Sequence, residues 1–155
     1  MSGVDKIAIF PGALRALQEV HDGVHGEMRL AVASSADTPR AVEIGKAAMK
    51  ILEIVPGKTF YDVLMRGWEP GYEGHLQVGR SPPLSSDKSK THFPILKEAT
   101  GVPYEQMLFF DDSAWSDHCA MVERACPGVV TQRTPRGMQY DEWQRGLHKF
   151  ADARS

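Results

Sequence analysis

Short apolar segments typical of β-strands alternate along this chain with segments of helical periodicity, and this alternation restricts the possible folds more than any other feature. Strand patterns occur at residues 6–10, 28–34, 106–110 and 129–133. Residues 30–33 are continuously apolar, which is typical of a central strand covered on both faces of a parallel sheet. The alternation predicts a three-layer α/β fold, a Rossmann-like parallel sheet with helices on both faces.

Helix signals lie between the strand patterns. Thr38 and Pro39 are typical of a helix N-terminus, and apolar residues then recur at helical spacing up to Leu52. A helix from about Ser89 is expected to end at Gly101, a common C-terminal cap. Further helices are predicted after Pro11, over the segment that carries Trp115, Cys119, Val122 and Cys126, and from Tyr140 onward.

One long connection interrupts this order. Residues 56–83 are rich in Gly, Pro and aromatic side chains, with a brief strand-like segment at residues 75–78. Such a connection is typical of either a functional lid or an inserted hairpin. Because 155 residues suit one hydrophobic core, residues 1–155 are expected to form a single domain that carries this insertion.

Composition excludes several classes of partner. Eighteen Lys and Arg against 20 Asp and Glu give a net charge of -2, so there is no positive excess to bind nucleic acid or an anionic membrane. No apolar run approaches the ~20 residues that cross a bilayer, and the first residues lack the apolar core of a signal peptide. Two cysteines are compatible with a reducing compartment. We expect a cytoplasmic monomer without nucleic-acid or membrane partners.

Polar residues end two of the predicted strands. In open α/β sheets ligands bind at the carboxyl ends of the strands. Ser34 and Ser35 follow one strand and precede a helix, where hydroxyl and backbone N–H groups can hold an anion. Asp111 and Asp112 end another strand, and two adjacent carboxylates repel each other unless a cation lies nearby. Mg²⁺, held by carboxylates, phosphate oxygen and water, would relieve that repulsion.

Lys88 and Lys90 lie where a helix is predicted to begin, between the serines and the aspartates in sequence. A lysine there opposes the helix dipole, which favours a bound phosphate as its partner. Serine, lysine and an aspartate pair together predict a phosphoryl-transfer site. Taken one at a time, each also suits an ordinary role: a capping serine, a solvated lysine, or an acid at a helix N-terminus.

Two other groups were considered as sites. His118, Cys119 and Cys126 contain zinc-ligand types, but structural zinc normally has four ligands, so a core-facing stripe is favoured. Trp68, Tyr72 and His75 lie in the irregular connection, where loop packing is favoured over a substrate entrance.

The pattern as a whole resembles motifs two, three and four of the haloacid dehalogenase superfamily, and within it the eukaryotic magnesium-dependent phosphatases. The matching strings are FPGALRAL (10–17), LAVASSADTPRA (30–41), SKTHF (89–93) and TGVPYEQMLFFDD (100–112). The resemblance implies little or no cap domain and hydrolysis of small phosphate monoesters, of the phosphotyrosine or phosphosugar type. It implies that Ser34, with Ser35, binds the phosphoryl group, that Lys90 or Lys88 neutralises it, and that Asp111 or Asp112 holds Mg²⁺.

The chain departs from the family in two places. The family lysine lies three residues before the His-Phe pair, where this chain has Ser89. The first motif, Asp-x-Asp, supplies the nucleophile and the general acid/base, and no Asp-x-Asp occurs in these 155 residues. Asp5 and Asp37 are disfavoured substitutes, the first lying at the wrong end of its predicted strand and the second beside the phosphate-binding serine.

The absent motif leads to the expectation of an N-terminally truncated phosphatase with impaired activity. The alternatives are a catalytically inactive phosphate-binding or interaction module and a fragment that does not fold stably. Because the strand of the first motif is central in the family's sheet, residues 6–10 are expected either to take its place or to leave a gap or an altered strand order.

Overall fold

Six helices and six short strands alternate over residues 9–113 and 116–155, the part of the chain that the computed structural model describes. The helices are α1 (Pro11–Asp22), α2 (Pro39–Ile51), α3 (Phe60–Met65), α4 (His92–Thr100), α5 (His118–Ala125) and α6 (Tyr140–Ala153). The strands are β1 (Val32–Ser34), β2 (Glu53–Val55), β3 (Lys58–Thr59), β4 (Leu76–Val78), β5 (Leu108–Asp111) and β6 (Val130–Arg133). A 3₁₀ turn at Tyr104–Gln106 precedes β5.

The strands form three separate pairs. β1 pairs with β4 and β5 with β6, both parallel, whereas β2 and β3 form an antiparallel hairpin. The predicted α/β class is therefore confirmed. Within the described residues the two parallel pairs are not hydrogen-bonded into one sheet, so the single three-layer sheet expected from the sequence is not shown.

Two strand predictions change in the structure. The pattern at residues 28–34 gives a strand only over Val32–Ser34, because in the parallel register Val32 pairs with Leu76, and the residues before Leu76 form a turn that offers no strand partner. The pattern at residues 6–10 lies outside the described residues up to position 8, and Ile9 and Phe10 are not in a strand.

Residues 56–83 are more regular than the sequence indicates. The β2–β3 hairpin opens the segment, and Thr59 and Asp62 then cap α3 reciprocally. Further on, the indole ring of Trp68 stacks on the imidazole of His75 at 4.6 Å between centroids. His75 is fully buried and hydrogen-bonds the Leu64 carbonyl at 2.9 Å. Trp68 Nε1 also donates to the Leu30 carbonyl at 3.0 Å, which attaches the connection to the segment before β1.

The core lies on both faces of β5 and β6. On one face Phe109 packs with Phe93 of α4 and with Val122 of α5. On the other face Phe110 contacts Trp143 of α6, with ring centroids 5.5 Å apart. Successive residues of a strand point to opposite faces, so adjacent phenylalanines serve the two clusters. Side chains of α4 and α5 thus contact Phe109, and a side chain of α6 contacts Phe110.

Cys119 and Cys126 both belong to the first cluster, as the core-stripe interpretation predicts. Burial raises the pKa of both thiols, which keeps them protonated. Over the described ranges, no three His, Cys, Asp or Glu side chains are grouped to hold a metal ion.

Helix α2 departs from expectation. Thr38 caps it by accepting a hydrogen bond from the Ala41 N–H at 3.0 Å, as predicted. However, none of its residues is buried, and Ile44 and Ile51 are 48% and 68% exposed. The apolar face that the periodicity indicates is therefore only partly covered by the described residues. None of the described helices is long and apolar enough to cross a bilayer.

Candidate active site

The carboxyl ends of β1 and β4 are joined by one buried histidine. His92 Nε2 donates a shared hydrogen bond to the carbonyls of Ser34 and Gly79, at 2.8 and 3.0 Å. Burial lowers the pKa of His92, so its imidazole is neutral and Nε2 carries the proton. The Gly79 N–H also donates to the Ser34 carbonyl at 2.8 Å. Ser34 is therefore held in place through its backbone.

The side chains of Ser34 and Ser35 make no hydrogen bond to any described residue, and both serines are half-buried. The Ser35 carbonyl accepts two bonds from Arg80, from Nε at 3.0 Å and from Nη2 at 2.9 Å. Both hydroxyls are thus without a partner among the described residues, and their role in phosphate binding stays a prediction.

Lys88 forms a buried ion pair with Asp111. The Lys88 ammonium lies 2.6 Å from Asp111 Oδ1, and the two side chains are 8% and 6% exposed. The other carboxylate oxygen of Asp111 accepts from the Ser113 N–H at 3.0 Å. Lys88 and the Ser113 N–H together therefore satisfy both oxygens of Asp111 at the carboxyl end of β5.

Lys90 lies elsewhere. Its side chain is 79% exposed, and its ammonium lies 4.0 Å from Asp87. The sequence leaves the choice between Lys88 and Lys90 open, and the structure brings Lys88 to the aspartate pair. The turn before α4 determines this arrangement, because Asp87 Oδ1 accepts from the Ser89 N–H at 3.0 Å and fixes the chain on either side of Lys88.

Asp112 differs from its neighbour. Its carboxylate is exposed and has neither a hydrogen bond nor an ion pair within the described part of the chain. Mg²⁺ is usually held by one or two carboxylates together with phosphate oxygens and water. Asp112 fits that donor set as a direct ligand, whereas Asp111 is engaged by Lys88. The two aspartates that the sequence predicts as metal ligands therefore have different environments.

The remaining sequence candidates lie apart or outside the described residues. Asp37 is exposed in the loop before α2. Asp5 and Trp115 lie outside the described residues. His118 begins α5, is 6% exposed, and its Nδ1 is buried without a described partner.

Arg80 is a residue that the sequence analysis misses. It lies two positions beyond the last residue of β4 and contacts the loop that follows β1. Its signal in the sequence is a basic residue just after the strand-like segment at 75–78, which is informative only once β4 is known to pair with β1.

The parallel strands β1 and β5 end in Ser34 and Asp111, and Lys88 reaches Asp111 from the turn before α4, an arrangement expected of a haloacid-dehalogenase-like domain. In agreement, the sequence model of the acid phosphatase family matches residues 2–153. The chain belongs to the acid phosphatase family, and the resemblance to haloacid dehalogenase phosphatases stated from the sequence is confirmed.

A human relative is similar over part of its length. The human protein named Magnesium-dependent phosphatase 1 is 35% identical over 65 residues, which are 42% of this chain and 35% of the human protein. The chain thus matches about a third of the length of that curated relative.

Proposed function

We propose that this chain binds phosphate monoesters at the carboxyl ends of β1, β4 and β5, as a phosphatase-like member of its family. The observation that supports the proposal is the buried Lys88–Asp111 pair, which holds an ammonium at the carboxyl end of β5, where the next residue, Asp112, has an exposed carboxylate. The substrates proposed are small phosphomonoesters of the phosphotyrosine or phosphosugar type, in keeping with the family.

Lys88 and Ser34 supply the anion-binding groups. An ammonium has three protons, and Asp111 takes one, so two are left for phosphoryl oxygens. The free Ser34 hydroxyl donates another bond. Catalysis of phosphoryl transfer consists largely of positioning and of stabilising charge on the transferring oxygens, and these groups are suited to both.

Asp112 is the residue proposed to hold Mg²⁺, with phosphate and water completing the coordination. When bound, the metal would offset negative charge on the phosphoryl oxygens. Asp111 acts in this scheme through Lys88, whose ammonium it keeps oriented at the strand end.

The proposal has a catalytic and a non-catalytic form, and the presence of a nucleophile decides between them. Hydrolysis through a phospho-aspartate needs an attacking carboxylate, and these 155 residues contain no Asp-x-Asp. Unaided hydrolysis of a phosphate monoester is among the slowest reactions. An enzyme must lower its activation free energy by on the order of 20 kcal/mol. We therefore expect binding with little turnover. A phosphate-binding or interaction module without catalysis is the alternative.

Titration of the full 155-residue chain with phenyl phosphate, followed by amide NMR shifts with and without Mg²⁺, tests the proposal. Ser34→Ala should weaken binding about tenfold, because it removes a hydrogen bond to a charged group. Asp112→Asn should abolish any gain from Mg²⁺. Lys90→Ala, the matched control on an exposed side chain, should leave binding unchanged.

The outcomes distinguish the versions. Absence of binding by the folded parent chain would overturn the proposal in both forms. Binding without release of phenol supports the non-catalytic form. Release of phenol that Ser34→Ala slows supports the enzyme and contradicts the expected impairment.

A further inference from the structure

Of the cations near the carboxyl ends of the parallel strands, Lys88 and Arg133 have carboxylate partners. Lys88 pairs with Asp111 at 2.6 Å, and Arg133, at the end of β6, lies 3.7 Å from Asp117. Arg80, beyond β4, has no carboxylate within 4.0 Å among residues 9–113 and 116–155. The described residues therefore leave its positive charge uncompensated.

Arg80 is nevertheless held in a defined position. Nε and Nη2 both donate to the Ser35 carbonyl, at 3.0 and 2.9 Å. Gly79, with φ +121°, turns the chain after β4, and a Cβ there would lie 3.3 Å from Val42. A guanidinium has five N–H donors, so three remain on an exposed side chain whose orientation is already fixed. Preorganisation of this kind lowers the entropy cost of binding.

The fixed guanidinium lies close to the predicted phosphate site. Adjacent Cα atoms are about 3.8 Å apart, and Arg80 contacts the carbonyl of the residue that follows Ser34, so its free donors lie within roughly 10 Å of the Ser34 hydroxyl. A ligand whose phosphate reaches Ser34 can therefore bring a second group to Arg80.

We infer that Arg80 binds a carboxylate carried by the phosphorylated substrate and so selects phosphorylated acids over neutral phosphomonoesters. This inference rests on the proposed function of the site. The planar guanidinium matches a carboxylate through two parallel hydrogen bonds, which an ammonium cannot reproduce. Arg80 is thus a specificity residue, distinct from the groups that hold the phosphoryl oxygens.

Two ligands of nearly the same size test the inference with the full chain. Phosphoglycolate carries a carboxylate where ethyl phosphate has a methyl group. At low ionic strength, where exposed charges are least screened, the parent chain should bind phosphoglycolate about five- to tenfold more tightly. Arg80→Met should reduce that ratio to about one and leave the affinity for ethyl phosphate unchanged.

The controls separate a selective role from a structural one. Arg80→Lys should retain only part of the preference for phosphoglycolate, because lysine keeps the positive charge but lacks the planar pair of N–H donors. Arg145→Met is the matched control, since Arg145 is exposed on α6 and already has a carboxylate partner, Asp141, at 2.8 Å.

Each result decides the matter. If Arg80→Met lowers the affinity for both ligands by the same factor, Arg80 only holds the Ser35 loop in place and the inference is wrong. If the parent chain binds both ligands equally, the inference is wrong and the proposed function stands. If the parent chain binds neither ligand, the proposed function and the inference fail together.

Discussion

At the scale of single residues, Lys88 and Lys90 show how strongly the environment separates two identical side chains. They are two positions apart, yet Lys88 is 7% exposed in an ion pair, and the Lys90 side chain is 79% exposed. Breaking a buried pair by removing one partner leaves an uncompensated charge, whereas exposed pairs contribute little. The same substitution should therefore have very different costs at the two positions.

Lys88→Met should lower the free energy of unfolding by about 3–5 kcal/mol, because Asp111 is left buried and unpaired. Lys90→Ala should change it by less than about 0.5 kcal/mol. Urea titrations of both variants measure these values. The double variant Lys88→Met with Asp111→Leu should recover part of the loss. Equal costs at Lys88 and Lys90 would show that the pair is absent.

At the scale of elements, α2 and α6 each contain an internal glycine, and the two have opposite surroundings. Gly146 of α6 faces Phe110, whose ring atoms would lie 2.6 Å from an added Cβ. Gly45 of α2 has no heavy atom within 4 Å of that position among its described neighbours. The glycine in α6 therefore allows the helix to approach β5 closely, and the glycine in α2 has no such role.

Replacement of each glycine by alanine should shift stability in opposite directions. Gly45→Ala should stabilise the protein by about 0.5–1 kcal/mol, because alanine favours a helix interior. Gly146→Ala should destabilise it by about 1–3 kcal/mol, because α6 must move away from Phe110. Thermal and urea unfolding of the two variants check this. A stabilising effect at Gly146 would contradict the close packing of α6 on β5.

At the scale of the whole molecule, stability is linked to pH through imidazoles buried at the two ends of β4. His75 is enclosed in the segment before β4 and His92 at the start of α4, and neither is exposed to solvent. Burial lowers the pKa of both below the ordinary value of 6.5. In addition, His75 Nδ1 has no partner among the described residues, so a proton there would lack an acceptor.

Stability should therefore decrease as the pH falls below about 6.5, because the unfolded chain binds protons that the folded chain does not. Each histidine contributes a slope of at most about 1.4 kcal/mol per pH unit. His75→Phe should reduce the slope between pH 7 and pH 5 and retain a ring beside Trp68. His148→Gln, an exposed control, should not change it. Parallel pH profiles for the parent and His75→Phe would exclude this linkage.

Local signals in the sequence predicted much of this protein. The cap at Thr38, the end of α4 at Gly101 and the cysteine stripe of α5 all depend on residues within one or two helical turns. The same holds for the polar residues that end β1 and β5. The extent of β1 and the exposure of α2 were not predictable in this way, because each depends on what the rest of the chain places alongside.

Outside residues 53–65, the amino-acid sequence by itself determined the order of helices and strands from α1 to α6 and the side chains that the strand ends present, since periodicity and capping act between near neighbours. Only the tertiary structure decided that Lys88 meets Asp111, that Arg80 holds Ser35 and that His92 joins β1 to β4. Those contacts connect residues 23, 45 and 58 positions apart. Contacts at such separations form only when strand pairing brings distant segments together, and no local pattern specifies which side chains then meet.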